Sequence, residues 1–297
     1  VDLSFDGRVA VVTGAGGGLG RAHALELARR GAKVVVNDMG TSLSGDGVER
    51  DRAAIVVKEI EGLGGAAVAD TNSVATVEGG EALIETAISA FGRVDIVVNN
   101  AGILRDKTFH NTSPDDVDPV LDVHLKGAFN VTRPAWRRFR EQGHGRVVVT
   151  SSSAGFFGNF GQSSYAAAKL GLVGLIKVLA IEGRKYDIKA NAIGPVALTR
   201  MTEGYENPIA DRLDPALVSP VVAYLGHESC ELSGEILSVG GGRVARVFIG
   251  VTRGYLNGEL TAEDVRDHLG EIFDDAGHQV PENSAAELGL LIEMLGR

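Results

Sequence analysis

Short apolar runs recur along the chain, separated by longer segments whose apolar residues fall at helical spacing. The runs are "RVAVVTGA", "AKVVVNDMG", "AAVADTNS", "RVDIVVNNAG", "GRVVVTSSS", "IKANAIGP" and "GEILSVGGG". They are rich in Val and Ile, and most are nearly continuous in apolar character, as strands covered on both faces require. Between them, "GLGRAHALELARRG", "RAAIVVKEIEGLG", "GEALIETAISAFG" and "SYAAAKLGLVGLIKVLAIEGRK" repeat apolar residues on one helical stripe. The alternation predicts βαβ units, hence a seven-stranded parallel sheet with helices on both faces. Gly31, Gly62, Gly92 and Gly183 follow helical segments and are expected to end them. Pro134 sits inside the helical segment "GAFNVTRPAWRRFRE". It should cost about 3 kcal/mol there, which predicts a kink.

Two stretches fall outside the alternation. Residues 39–51, "MGTSLSGDGVERD", read as a loop after the second strand. After Gly242, "LTAEDVRDHLGEIFD" and "SAAELGLLIEML" are amphipathic at helical spacing. The expected organisation is one domain, residues 1–297, with a core over 1–242 and a C-terminal helical extension over 243–297. The extension is expected to dock on the same body or on a partner subunit.

Composition narrows the class. The 297 residues are 44% hydrophobic and 23% charged, enough to bury a sizeable core. A formal net charge of −10, with no long basic run, argues against nucleic acid or an anionic membrane as partner. A phosphate-bearing ligand would have to be held by local N–H groups and individual cations. The single cysteine, Cys230, allows no internal disulfide and suits a reducing compartment. The first residues lack the pattern of a signal peptide, and the last are not a peroxisomal Ser-Lys-Leu address. No run of roughly 18 uninterrupted apolar residues suggests a membrane span. The expectation is a soluble cytoplasmic protein. The seven histidines show no ligand-spaced cluster and Cys230 has no cysteine partner, so no metal is expected.

"TGAGGGLG" follows the first strand and opens the first helix. The strict G-x-G-x-x-G pattern fails, because a frame starting at Gly14 puts Leu19 in the last position. The pattern T-G-x-x-x-G-x-G is met by Gly14, Gly18 and Gly20. Gly14 would allow a tight turn, Gly18 close approach of a pyrophosphate, and Gly20 close helix–strand packing. The helix N-terminus, from Gly18 and Leu19 on, would offer N–H groups to the phosphates. A bare glycine turn would show the same residues, but the position between strand and helix favours a dinucleotide site. Asp38, at the end of the next strand, can accept both ribose hydroxyls of NAD and would repel the 2′-phosphate of NADP. No Arg or Lys occupies positions 15–17, so NAD is the expected cofactor.

Tyr165 and Lys169 are spaced i, i+4 and project from one helix face. A phenol alone, with pKa near 10, is a poor base at neutral pH, and a nearby ammonium would lower it. A serine hydroxyl close by could hold a substrate oxygen while Tyr165 moves its proton. Tyr-x-x-x-Lys alone is common and could simply mark a helix surface.

Taken together, T-G-x-x-x-G-x-G, "NNAG" at residues 99–102 and Ser152, thirteen residues before Tyr165, resemble the short-chain dehydrogenase/reductase family over roughly 240 residues. The resemblance implies a doubly wound, Rossmann-like fold. It also implies Tyr165 as general acid/base, Lys169 holding the nicotinamide ribose, Ser152 placing the substrate oxygen, and Asn99 helping to hold the cofactor. The family usually has asparagine where this chain has His124, in "VHLKGAF". A narrower likeness accommodates that histidine. "NNAGILRDKTF", "GNFGQSSYAAAKLGLVGL" and "GHESCE" resemble the D-3-hydroxyacyl-CoA dehydrogenase unit of the type 2 peroxisomal multifunctional enzymes. That resemblance implies His124 as a fourth catalytic residue, Ser73 and Val74 near the adenine, and Val196 and Thr199 beside the nicotinamide.

The implied reaction is oxidation of a (3R)-3-hydroxyacyl-CoA by NAD. A steroid or other small alcohol is the alternative substrate, and a non-catalytic NAD-binding regulator the alternative of another class. Residues 198–213 should cover the substrate. Arg105 and Lys107 could meet CoA phosphates or be solvated surface cations. A homo-oligomer, dimer or tetramer, is expected.

Overall fold

The structure, a computed structural model, describes residues 3–42, 44–45, 51–199 and 209–296. Its chain divides into two compact units, Val1–Arg246 and Val247–Arg297.

The first unit is built on one sheet in the order β3-β2-β1-β4-β5-β6-β7-β8. The seven predicted runs become β1 (Val9–Thr13), β2 (Lys33–Asn37), β3 (Ala67–Asp70), β4 (Ile96–Asn99), β5 (Gly145–Thr150), β6 (Ile188–Pro195) and β7 (Ile236–Gly240). They pair in parallel, with Val12 beside both Val36 and Val98. Every residue of β1, β4 and β5 is buried, which explains their unbroken apolar runs. Helices α1 (Gly18–Arg29), α2 (Arg52–Gly62), α3 (Val77–Phe91), α4 (Pro114–Leu121), α5 (Gly127–Gln142), α6 (Ser153–Phe157), α7 (Ser163–Gly183) and α8 (Ser219–Gly226) complete this doubly wound unit.

The sheet has an eighth strand, β8 (Arg243–Val247), one more than the apolar runs predict. Gly241 and Gly242 take φ of 57° and 81°, the left-handed pair of a type I′ hairpin turn. A two-residue connection admits only an antiparallel neighbour. The sequence does not mark this strand because "RVARV" interrupts its apolar residues with arginines and is largely exposed. Arg246 fastens it with two hydrogen bonds to the Glu235 carboxylate, at 2.7 and 2.9 Å.

The helical region before β5 also differs in detail. The helix continues through Pro134, and the irregularity lies earlier, in a π turn at Asp122–Lys126. Pro134 has no N–H to give the Asn130 carbonyl, four residues back. That carbonyl instead faces α3 at Gly80, where an added Cβ would lie 2.4 Å from its oxygen. Gly92 does end its helix in the left-handed region, at φ 80°. Gly183 does not. The chain turns left-handed only at Asp187 (φ 50°), and Gly183 is needed because a Cβ would meet the Ile188 carbonyl oxygen at 2.4 Å.

Helix α7 with its following turn, Ser163–Tyr186, is long and apolar enough to cross a membrane by composition, with mean hydropathy 1.6 over an 18-residue window. Here it packs on the sheet through Ala168, Leu172, Val173 and Ile176. Lys169 is buried on the same side. The second unit carries α9 (Ala262–Asp267), α10 (Leu269–Ile272) and α11 (Ser284–Met294). Internal ties include the Val251–Gln279 bridge and the Thr252 hydroxyl donating to the Ile272 carbonyl at 2.9 Å.

The α3–α5 contact predicts that Gly80→Ala destabilises the protein by about 1–3 kcal/mol, read from the midpoint of urea unfolding. Gly62→Ala is the contrasting substitution, since nothing lies within 4 Å of its added Cβ. It should be neutral, or stabilise by up to about 1 kcal/mol.

Candidate active site

Strand order reverses between β1 and β4, so the connections that follow these strands leave in opposite directions and open a crevice at their C-terminal ends. A cleft of about 350 Å³ lies there, bordered by Gly14, Gly18, Leu19, Asp38, Ser73, Val74, Asn100, Ala101 and Thr199. Gly14 and Gly18 have φ of 63° and 51°, so both turns need glycine. A Cβ on Gly14 would come within 2.8 Å of Ala101 Cα, and one on Gly20 within 2.2 Å of the Gly14 carbonyl oxygen. Gly20 thus serves packing, while Gly17, Gly18 and Leu19 present the start of α1 to the cleft. This side-chain-free cradle fits the pyrophosphate of a dinucleotide.

Asp38 stands at the cleft edge. Its Oδ2 accepts from the Gly16 amide at 2.8 Å and its Oδ1 from the Gly40 amide at 2.7 Å. These bonds orient the carboxylate and leave further lone pairs for ribose hydroxyls. Gly16, not singled out in the sequence, is part of this arrangement. A Cβ on it would lie 2.8 Å from Asp38 Oδ2 and 2.7 Å from Arg52 Cβ. Arg52, distant in sequence from positions 15–17, therefore converges on the same corner.

The proposed reacting groups also come together. Ser152 caps α6, accepting from the Ala154 amide at 3.2 Å, and its hydroxyl lies near enough to the Tyr165 phenol to favour the phenolate. Lys169 is buried beside them, its Nζ 5.4 Å from the centre of the Tyr165 ring and donating to the Thr150 carbonyl at 2.6 Å. Ser151 is structural, its hydroxyl donating to the Lys169 carbonyl at 2.8 Å. The acidities differ from the expectation that an ammonium lowers the phenol. Burial raises the Tyr165 pKa, the Ser152 hydroxyl lowers it by less, and the Asp106 charge raises it further. Burial also brings the Lys169 ammonium down to about 7, which weakens the charge meant to act on Tyr165.

His124 lies in the π turn with its ring edge-on to Tyr165, centroids 5.1 Å apart. Its Nε2 is 3.0 Å from the Ile103 amide nitrogen and 2.8 Å from the Ile103 carbonyl oxygen. Either neutral tautomer therefore keeps a backbone partner. Burial, the nearby Lys169 charge and a smaller opposing Ile103 hydrogen bond leave its pKa well below the usual histidine value. Its Nδ1 is buried without a protein partner. Beside it, Thr13, Asn99, His124 and Lys169 border a cavity of about 10 Å³, room for about one water.

The other candidates scatter. The Asn99 side chain turns from the main cleft and donates to the Thr132 hydroxyl at 2.9 Å. Its neighbour Asn100 faces the cleft and donates from Nδ2 to the Thr13 carbonyl at 3.0 Å. Nothing in the sequence separated these adjacent asparagines. Thr199 borders the cleft, whereas Val196 lies outside its lining, its amide bonded to the Val239 carbonyl at 2.7 Å. Lys107 pairs with Asp116 at 2.8 Å, and Arg105 donates to the Ser44 and Asp115 carbonyls at 3.1 and 2.5 Å. Within the expected substrate cover, residues 200–208 lie outside the described residues, as do 43 and 46–50 of the loop after β2. Among the described residues no group of three or more His, Cys, Asp or Glu could hold a metal ion.

The fold and the Ser-Tyr-Lys constellation define a class. Residues 8–208 match the short chain dehydrogenase family, and the chain belongs to it. It is accordingly an oxidoreductase that uses a nicotinamide dinucleotide. Peroxisomal multifunctional enzyme type 2 of Mus musculus is 47% identical over 298 residues, covering 99% of this chain and 40% of that protein. A hydroxyacyl-CoA dehydrogenase of Mycobacterium tuberculosis is 40% identical over 270 residues, 83% of this chain and 80% of its own. The solved full-length peroxisomal multifunctional enzyme type 2 of Drosophila melanogaster superposes with TM-score 0.84 and 41% identity, covering 99% of this chain and 50% of that chain. The chain thus spans half or less of these multifunctional relatives.

Buried Lys169 predicts a pH-dependent stability. Its folded pKa of about 7 lies below the ordinary 10.5, so the unfolded chain binds more protons between these values. The burial penalty is complete below pH 7 and is relieved as pH rises towards 10.5. Lys169→Met should therefore stabilise the protein at pH 6 by on the order of 1–3 kcal/mol, read from urea unfolding, with the gap closing towards pH 10. A gap independent of pH would contradict this assignment.

Proposed function

We propose that the chain oxidises a (3R)-3-hydroxyacyl-CoA to the 3-ketoacyl-CoA with NAD. The observation that carries this reading is the convergence of Ser152, Tyr165 and Lys169 beside the dinucleotide cleft. When bound, the nicotinamide supplies the hydride acceptor and a positive charge. The Ser152 hydroxyl holds the substrate oxygen, and Tyr165, as phenolate, takes the hydroxyl proton while the carbinol hydride leaves. The reverse reduction uses the same phenol as acid. Lys169 holds the nicotinamide ribose, and its charge favours the phenolate once the positive ring opposes burial. A water in the small cavity would bridge Lys169 Nζ and His124 Nδ1, with His124 neutral, linking the buried amine to a proton acceptor. Substrate class rests on the hydroxyacyl-CoA dehydrogenase among the relatives and on the segments shared with the multifunctional enzymes.

Asp38 supports NAD over NADP, because a 2′-phosphate would meet its carboxylate; Arg52 at the same corner works the other way. We expect the carboxylate to prevail, since it already faces the cleft from two backbone bonds. An exposed apolar face on α5 and α7, formed by Phe129, Leu170, Val178 and Ile181, supports a homo-oligomer. A reducing, cytoplasmic setting suits the single buried cysteine, Cys230.

Reduced-cofactor formation across acyl-CoA lengths, both 3-hydroxy enantiomers and steroid alcohols tests the substrate. Turnover of a steroid with none of any (3R)-hydroxyacyl-CoA would reverse the assignment. Tyr165→Phe should lower kcat by about 10²-fold or more while the cofactor still binds. NAD should exceed NADP in kcat/KM by at least about tenfold, and equal use would overturn the role given to Asp38.

A further inference from the structure

We propose that Asp106 is a positioning residue for Tyr165, latching the loop after β4 to the start of α7 through Gln162. Its Oδ2 accepts from Gln162 Nε2 at 2.6 Å. Gln162 is buried and is the residue from which α7 begins, three before Tyr165, and its carbonyl accepts the Ala166 amide at 2.7 Å. Its Oε1 is also engaged, by Asn159 Nδ2 at 3.0 Å. One residue along, Lys107 and Gln162 form a parallel bridge, with the Lys107 amide donating to the Gly161 carbonyl at 2.9 Å. The first turn of α7 is therefore not left to its own hydrogen bonds. It is stitched to a loop that also carries Ile103, the backbone partner of His124.

This placement matters because Tyr165 is held from several sides. His124 meets its ring edge-on from the π turn, Ser152 approaches its phenol from the start of α6, and Lys169 approaches from within α7. Each contact needs the helix start at a fixed depth, and an error near 1 Å in a reacting group can cost about 10²-fold in rate. Asp106 is also the nearby negative charge that favours the protonated phenol. Position and charge can be separated chemically. Asp106→Asn keeps an acceptor for Gln162 and removes the charge, Asp106→Ala removes both, and Gln162→Ala removes the latch and keeps the charge.

The inference rests on the role given above to Tyr165, and the test separates the two. In the whole chain, Asp106→Ala and Gln162→Ala should lower kcat by about tenfold or more, with a smaller effect on cofactor KM. Both should speed amide hydrogen exchange in the peptide at the start of α7, a measurement that needs no substrate. Asp106→Asn should recover most of the kcat lost in Asp106→Ala. Its acid limb for oxidation should also move to lower pH, because removing a negative charge lowers a phenol pKa. Gln162→Ala, retaining the carboxylate, should not move that limb downward. Wild-type kcat and exchange in both Asp106→Ala and Gln162→Ala would overturn the latch alone, provided Tyr165→Phe is inert. Full turnover by Tyr165→Phe would overturn the role of Tyr165, and the latch as its positioning device with it.

Discussion

The hydroxyl of Thr13 holds together the two turns on which the cleft depends. It accepts from the Asn100 and Ala101 amides at 2.9 and 3.0 Å and donates to the Val98 carbonyl at 3.3 Å. Asn100 answers by donating to the Thr13 and Gly14 carbonyls. The glycine turn after β1 and the turn after β4 are thereby locked across the point where strand order reverses. Buried backbone groups that would otherwise lack partners at the strand ends find them in each other. The two turns can meet because Gly14 carries no Cβ where it faces Ala101, and the first turn of α1 borders the cleft.

An acidic protein that binds a phosphorylated cofactor needs local sources of positive potential. Backbone amides at the start of α1 provide one. Lys169 provides another, at a cost in burial that its single bond to Thr150 offsets only in part. Burial thus favours the protonated phenol and weakens the charge of the lysine. His124 fits the same economy of charge, since its two neutral tautomers are both satisfied at Ile103.

Elsewhere the chain accommodates local faults by close contact. Pro134 removes a donor without ending its helix, and Gly80 lets the freed carbonyl approach α3. The opposite end of the sheet is fixed by charge. Buried Arg146 donates to the Asp187, His227 and Glu228 carbonyls, while buried Asp95 receives the Val9 amide and the guanidinium groups of Arg8 and Arg93.

The sequence by itself determined the seven parallel strands, the glycine turn and the Ser152–Tyr165–Lys169 set. Those features depend on local periodicity, on the conformations only glycine tolerates, and on spacing within a few turns of chain. Asn99 and Asn100 were indistinguishable there, because which of two neighbours faces a cleft is set by the strand's register against β1 and by α5. Gly16 and Arg52 gave no signal, since their meeting with Asp38 depends on a contact between distant segments. The short strand β8 was hidden by its exposure, which removes the apolar pattern that marks a strand. Tertiary structure alone decided how acidic Tyr165 and Lys169 are. Spacing brings a cation near a phenol, but the depth of burial sets what charge each can hold.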